Sequence, residues 1–66
     1  MNRPPPDSPA LATITALLKE CASVAAVNEW VDANVEAFNK LSDADYSILE
    51  GRIVRWREHV AKKVAA

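Results

Sequence analysis

Large apolar residues recur every three or four positions along three segments of the chain, and this spacing is the strongest constraint on its fold. The clearest case is the last segment, where the spacings are 3, 4, 3 and 4 for Tyr46, Leu49, Ile53, Trp56 and Val60. An α-helix of 3.6 residues per turn brings such positions onto one face, whereas a half-buried strand needs alternation. The sequence therefore predicts an all-α protein with three amphipathic helices.

A serine precedes each of the three segments and predicts where the helices begin. Ser8 is followed by Pro9, which is tolerated at a first helical position, and Ser23 and Ser42 precede the second and third stretches. The second helix is expected to run to about Lys40. Because the connections are short, the helices should be antiparallel neighbours, which predicts an up-down-up three-helix bundle over residues 8–66. Residues 1–7, which contain three consecutive prolines, are predicted to form a flexible proline-rich tail.

Sixty-six residues suffice for one small domain, and their 50% apolar content argues against intrinsic disorder. Many of the apolar residues are alanines, so the larger side chains should supply the core. These are Leu11, Ile14, Leu17, Leu18, Val27, Trp30, Val31, Val35, Phe38, Leu41, Tyr46, Leu49, Ile53, Trp56 and Val60. Asn34 interrupts the apolar face of the second helix, where its amide should bond a loop backbone or a side chain such as Tyr46. Gly51 suggests close approach of a neighbouring helix, or a bend.

The residue types that catalysis and metal binding require are scarce. Cys21 and His59 are the only cysteine and histidine and lie on different predicted helices, so neither a nucleophile pair nor a metal site is expected. With one glycine, a phosphate-binding loop cannot form. We therefore expect no enzyme activity, no cofactor and no metal, and Cys21 should pack as a small buried hydrophobe. A lone cysteine and the lack of a long apolar run predict a cytoplasmic protein without membrane contact.

The net charge of −1 hides a strong asymmetry along the chain. Residues 1–51 carry three basic and eight acidic side chains, whereas residues 52–66 carry five basic and one acidic. On the third helix one stripe beside the core face contains Ile48, Arg52, Arg55, His59 and Lys62. Such a stripe could bind an acidic peptide with a hydrophobic tip. The structural interpretation is that the basic residues complement the helix dipole near its C-terminus and the acidic second helix, and a third alternative is that they bind nucleic-acid phosphate.

A second candidate surface lies on the second helix, where Glu29, Asp32 and Glu36 form an acidic ridge. The ordinary interpretation is a solvated helix face. As a binding surface it would suit a small phage inhibitor that acts as a charge mimic on a host defence or regulatory complex. A homo-oligomeric structural protein is a further alternative, because a small bundle with tryptophans at the edges of its apolar faces can self-associate.

Five residues, Trp30, Asn34, Leu41, Tyr46 and Arg55, carry a resemblance that extends over residues 10–61. In this pattern the chain resembles the small helical C-terminal modules of phage single-strand annealing and recombination proteins. The resemblance implies a module that recruits partners, such as the acidic tail of a host single-strand DNA-binding protein or a companion exonuclease. With no annealing domain beside it, the chain would be an adaptor or an inhibitor. We therefore predict a non-enzymatic phage or bacterial adaptor that docks on a nucleic-acid-handling protein in the host cytoplasm, without binding nucleic acid directly.

Overall fold

The computed structural model describes the backbone of residues 7–65 and the side chains of residues 7–63. Its regular elements are α-helices: α1 (Pro9–Leu18), α2 (Val24–Ala33), α3 (Val35–Asn39) and α4 (Asp43–Ala65). This confirms the all-α class. The predicted bundle had three helices, whereas the described range contains four, and the predicted proline-rich tail lies outside that range except for Asp7. No helix within it is both long and apolar enough to cross a bilayer.

The three predicted serine caps are confirmed. The Ser8 hydroxyl accepts a hydrogen bond from the Leu11 amide (3.2 Å), and Ser23 accepts one from Ala26 (3.1 Å). Ser42 does the same for the amide of Asp45 (3.2 Å). Each bond satisfies an amide that has no partner inside its helix, which is why short polar side chains favour this position.

The prediction of one continuous helix from Ser23 to about Lys40 is wrong, because the chain leaves helical geometry at Asn34 (φ −118°, ψ 16°). Its backbone amide bonds the Val31 carbonyl at 3.1 Å rather than that of Trp30. The Trp30 carbonyl accepts instead from the side-chain amide of Asn34, at 2.7 Å. Asparagine favours such breaks because its side chain competes with the backbone for hydrogen bonds. The expected partners of Asn34, a loop backbone or Tyr46, are therefore replaced by a carbonyl of its own helix.

The core lies where α1 and α2 pack against α4, the longest helix. Its buried residues are Leu11, Leu18, Cys21, Val27, Phe38, Leu49, Ile53 and Val60, with Ile14, Ala26, Trp30, Val31, Leu41 and Trp56 half-buried around them. Three residues predicted to be in the core, Leu17, Val35 and Tyr46, are exposed instead. They lie on α1, α3 and the first turn of α4, respectively, so each of these helices leaves one predicted core position in solvent.

Gly51 lies within α4, and its surroundings explain neither a close helix approach nor a conformational need for glycine. A Cβ atom at this position would meet only the Arg55 guanidinium Nη2, at 3.6 Å, an ordinary contact. Its φ is not positive. We expect Gly51→Ala to raise the free energy of unfolding by about 0.5–1 kcal/mol, because alanine restricts the unfolded chain and favours the helix. Urea unfolding followed by circular dichroism measures this; a loss of stability would contradict it.

Candidate binding cleft

Three residues of the predicted basic stripe face α1 across a cleft. Arg52, Arg55 and His59 lie at intervals of three and four along α4, so they share one helix face. The cleft has a volume of about 460 Å³, and the side chains that line it are Asp7, Thr15, Leu18, Lys19, Arg52, Arg55, Trp56 and His59. We call it the α1–α4 cleft. Three lysine or arginine side chains and one carboxylate make it basic, in contrast to the rest of the chain.

Arg52 is the most constrained of the cleft's basic residues. Its guanidinium donates to both carboxylate oxygens of Asp7, through Nη1 at 2.8 Å and Nη2 at 3.0 Å. Nη1 also donates to the Thr15 hydroxyl at 2.9 Å, which fixes the fork against α1. The hydrogen bond from Arg52 lowers the pKa of the Asp7 carboxyl below its ordinary value. Both side chains remain about one-third exposed, so this is a surface ion pair with well-formed bidentate geometry.

Trp56 forms the aromatic wall of the cleft and is anchored at both edges. Its indole N–H donates to the Cys21 carbonyl just beyond the end of α1, at 2.8 Å. Its ring lies beside that of His59, with centroids 5.0 Å apart and planes inclined by 32°. A neighbouring depression of about 320 Å³ shares Lys19, Trp56 and His59 with the cleft and extends towards Lys63. This depression is lined by one acidic side chain, Glu20, as well as by Lys19 and Lys63.

The remaining residues of the predicted stripe lie outside the cleft. Ile48 (45% exposed) and Lys62 are solvent-exposed positions on α4 and are not among the residues that line it. The sequence-based stripe also missed five lining residues that the fold supplies: Asp7, Thr15, Leu18, Lys19 and Trp56. Of these residues, only Trp56 could be identified from the sequence as a possible contact residue, because it lies at the edge of an apolar face. Asp7 and Thr15 reach Arg52 across 45 and 37 positions, which helix periodicity does not address.

The acidic ridge is changed by the break at Asn34. Glu29 and Asp32 are exposed on α2, but Glu36 belongs to α3, so the three carboxylates do not follow one continuous helix. Glu36 lines a separate open groove of about 700 Å³ between α1 and α3, with Ile14, Ala33 and Ala37 among its apolar residues. The acidic ridge of Glu29, Asp32 and Glu36 is therefore separate from the α1–α4 cleft, and its three carboxylates do not form one site.

Cys21 is buried, as expected from the sequence. Burial raises the pKa of its thiol, so the reactive thiolate form is less populated at neutral pH. The thiol group lies 3.9 Å from the Leu17 carbonyl, as in an ordinary packed helix end. In the part of the chain that the structure describes, no group of three histidine, cysteine or acidic residues is arranged to hold a metal ion.

Comparison of the chain with models of known protein families, with curated proteins and with solved structures finds no match in any of the three.

Proposed function

We propose that the chain is a non-enzymatic interaction module that binds an acidic segment of a partner protein in the α1–α4 cleft. The observation that supports this most directly is that Lys19, directly after α1, and Arg55 of α4 line the same cleft as the Trp56 indole. Positive groups from two separate segments, together with an aromatic ring, can hold carboxylates and an apolar side chain of the same ligand. Arginine and tryptophan are also the residue types that most often dominate binding energy at interfaces.

The size of the cleft favours a short segment. Pockets of roughly 300–1,000 Å³ accommodate small ligands, and the cleft, at about 460 Å³, has room for a few side chains. Trp56 provides apolar surface in the cleft, while Lys19 and Arg55 supply positive charge. A peptide with several carboxylates and one hydrophobic anchor satisfies both requirements. In this proposal α2 and α3 act as one bent middle helix, which would leave a three-helix arrangement with the proline-rich residues 1–7 as its tail.

The partner we favour is a nucleic-acid-handling protein of a bacterial cytoplasm, with the chain acting as a phage or bacterial adaptor. The acidic tail of a single-strand DNA-binding protein, which the family resemblance implies as a target, has the charge that such a cleft selects. Direct binding of nucleic acid is less favoured because the chain has few basic groups and a net charge of −1. The same chemistry also covers the acidic tail of a nuclease.

Reversal of charge at Arg55 tests the proposal. The probe is a dye-labelled peptide of four aspartates followed by leucine and phenylalanine, titrated by fluorescence anisotropy. Arg55→Glu should raise the Kd of the peptide at least tenfold and reduce the salt dependence of binding, because a carboxylate then faces the ligand. The helical spectrum and Tm should remain near those of the parent, since Arg55 is exposed. Arg55 is preferred to Arg52, whose reversal would oppose Asp7.

Reversal of Glu29 and Glu36 to lysine is the matched control, because it changes charge on exposed positions outside the cleft. Peptide binding that survives Arg55→Glu would contradict the proposal. Should a partner captured in cells depend on the glutamates and not on Arg55, the charge-mimic inhibitor becomes the better function. A labelled single-stranded DNA oligonucleotide in the same titration checks the nucleic-acid reading. Sedimentation of the unliganded protein checks self-association.

A further inference from the structure

Asp7 occupies the α1–α4 cleft in the manner expected of a ligand carboxylate. Both of its oxygens accept from the fork of Arg52, at 2.8 and 3.0 Å, and the Thr15 hydroxyl binds the same guanidinium at 2.9 Å. This fork-to-fork geometry is the one by which arginine recognises carboxylates in general. The chain thus shows, with its own side chain, which chemical group this part of the cleft accepts.

We infer that Arg52, held by Thr15, is a carboxylate-binding subsite, and that Asp7 is an internal competitor which a carboxylate of the bound partner displaces. The inference rests on the proposed function and adds to it a specific contact and a means of regulating affinity. Since Asp7 and the incoming group would make the same two hydrogen bonds, the exchange leaves the guanidinium paired throughout. The affinity that the partner gains at this subsite is therefore reduced by the strength of the Asp7 contact.

The structure allows Asp7 to leave without disturbing α1. Asp7 precedes the helix cap Ser8, whose hydroxyl accepts from the Leu11 amide and donates to a carboxylate oxygen of Asp45 at 2.8 Å. These bonds tie the beginning of α1 to the beginning of α4 independently of Asp7. The Asp7 side chain is also about one-third exposed, so solvent and ligand can reach the pair directly. Its release changes the side-chain contacts of Asp7 and Arg52 and leaves the hydrogen bonds at the beginning of α1 in place.

Affinity measurements on Asp7→Asn test the inference with the aspartate-rich labelled peptide described above. The neutral amide cannot form the ion pair, so Kd should fall by about two- to fivefold, the range that exposed ion pairs provide. Arg52→Gln should weaken binding. In the Arg52→Gln background, Asp7→Asn should no longer tighten peptide binding. Asp32→Asn, which removes one exposed charge on α2, is the control for net charge and should leave Kd nearly unchanged.

Two further measurements make each outcome decisive. Arg52→Lys keeps the positive charge but lacks the planar guanidinium that binds a carboxylate through two hydrogen bonds. It replaces Arg52→Gln in the experiment if that variant fails to fold. The Asp7 carboxyl, followed by ¹³C NMR during a pH titration, should show its lowered pKa in the unliganded protein and a pKa nearer its ordinary value with peptide bound. Peptide binding that depends on Arg55 but is not tightened by Asp7→Asn, or a gain that persists without Arg52, overturns the inference alone. If neither the parent nor Asp7→Asn binds the peptide, the inference and the proposed function both fail.

Discussion

Phe38→Ala is expected to lower the free energy of unfolding by about 3–5 kcal/mol, the range found for large aromatic core residues. Phe38 is only 4% exposed and is the buried residue by which the five-residue α3 joins the core. Its ring centroid lies 5.2 Å from that of Trp30, so the substitution also removes an aromatic contact. Small domains have only a few kcal/mol in reserve, and we therefore expect a largely unfolded variant at 25 °C in urea titrations followed by circular dichroism.

Val54→Ala is the matched control for this prediction. Val54 borders the same apolar depression as Phe38 on the α4 side, but it is 49% exposed. Exposed substitutions away from special features usually change stability by about 0.5 kcal/mol or less. A Phe38→Ala variant that unfolds as easily as Val54→Ala would mean that α3 is not docked on the core in solution.

Helix starts and the core face of α4 could be predicted from sequence because both depend on neighbours a few positions apart. A serine cap bonds an amide three residues later, and all three caps are found where the sequence indicated them. Leu49, Ile53 and Val60 are buried on the predicted face of α4. Local hydrogen bonding and a regular period thus account for the all-helical fold and for most of its core.

The break at Asn34 was not predictable from the period, because the period continues through it. Trp30, Asn34 and Phe38 are spaced by four, as in an unbroken helix, and both aromatic residues still face the core. What ends α2 is a choice between two donors for one carbonyl, the backbone amide or the side-chain amide of Asn34. In the structure the side-chain amide makes this bond, and the spacing of apolar residues does not show which donor is used.

The cleft could be anticipated from one side only. Arg52, Arg55 and His59 share a helix face, which periodicity reveals, but the groups opposite them come from α1 and from Asp7. These long-range pairings depend on how α1 crosses α4. Charge composition hid them as well, because Asp7 and Lys19 both lie in the predominantly acidic part of the chain. A site formed between helices requires the structure.

Trp56 connects the fold with the proposed site, since its ring is both a half-buried part of the core periphery and the wall of the cleft. Two substitutions of Trp56 distinguish the contribution of its indole hydrogen bond from that of its ring. Trp56→Phe keeps an aromatic ring but removes the donor to the Cys21 carbonyl, and Trp56→Ala removes both. Trp30→Phe is the control, because Trp30 meets its neighbour Phe38 through its ring.

We expect Trp56→Ala to lower the free energy of unfolding by about 2–4 kcal/mol, somewhat less than for a fully buried tryptophan, because the side chain is partly exposed. Trp56→Phe should lose about 1–2 kcal/mol, since the Cys21 carbonyl at the end of α1 is left without its indole donor. Trp30→Phe should lower the free energy of unfolding by less than Trp56→Phe does. If Trp56→Phe is as stable as the parent protein, the indole does not hold α1 against α4. The hydrogen bond to the Cys21 carbonyl would then not be the contact that fixes the wall of the cleft.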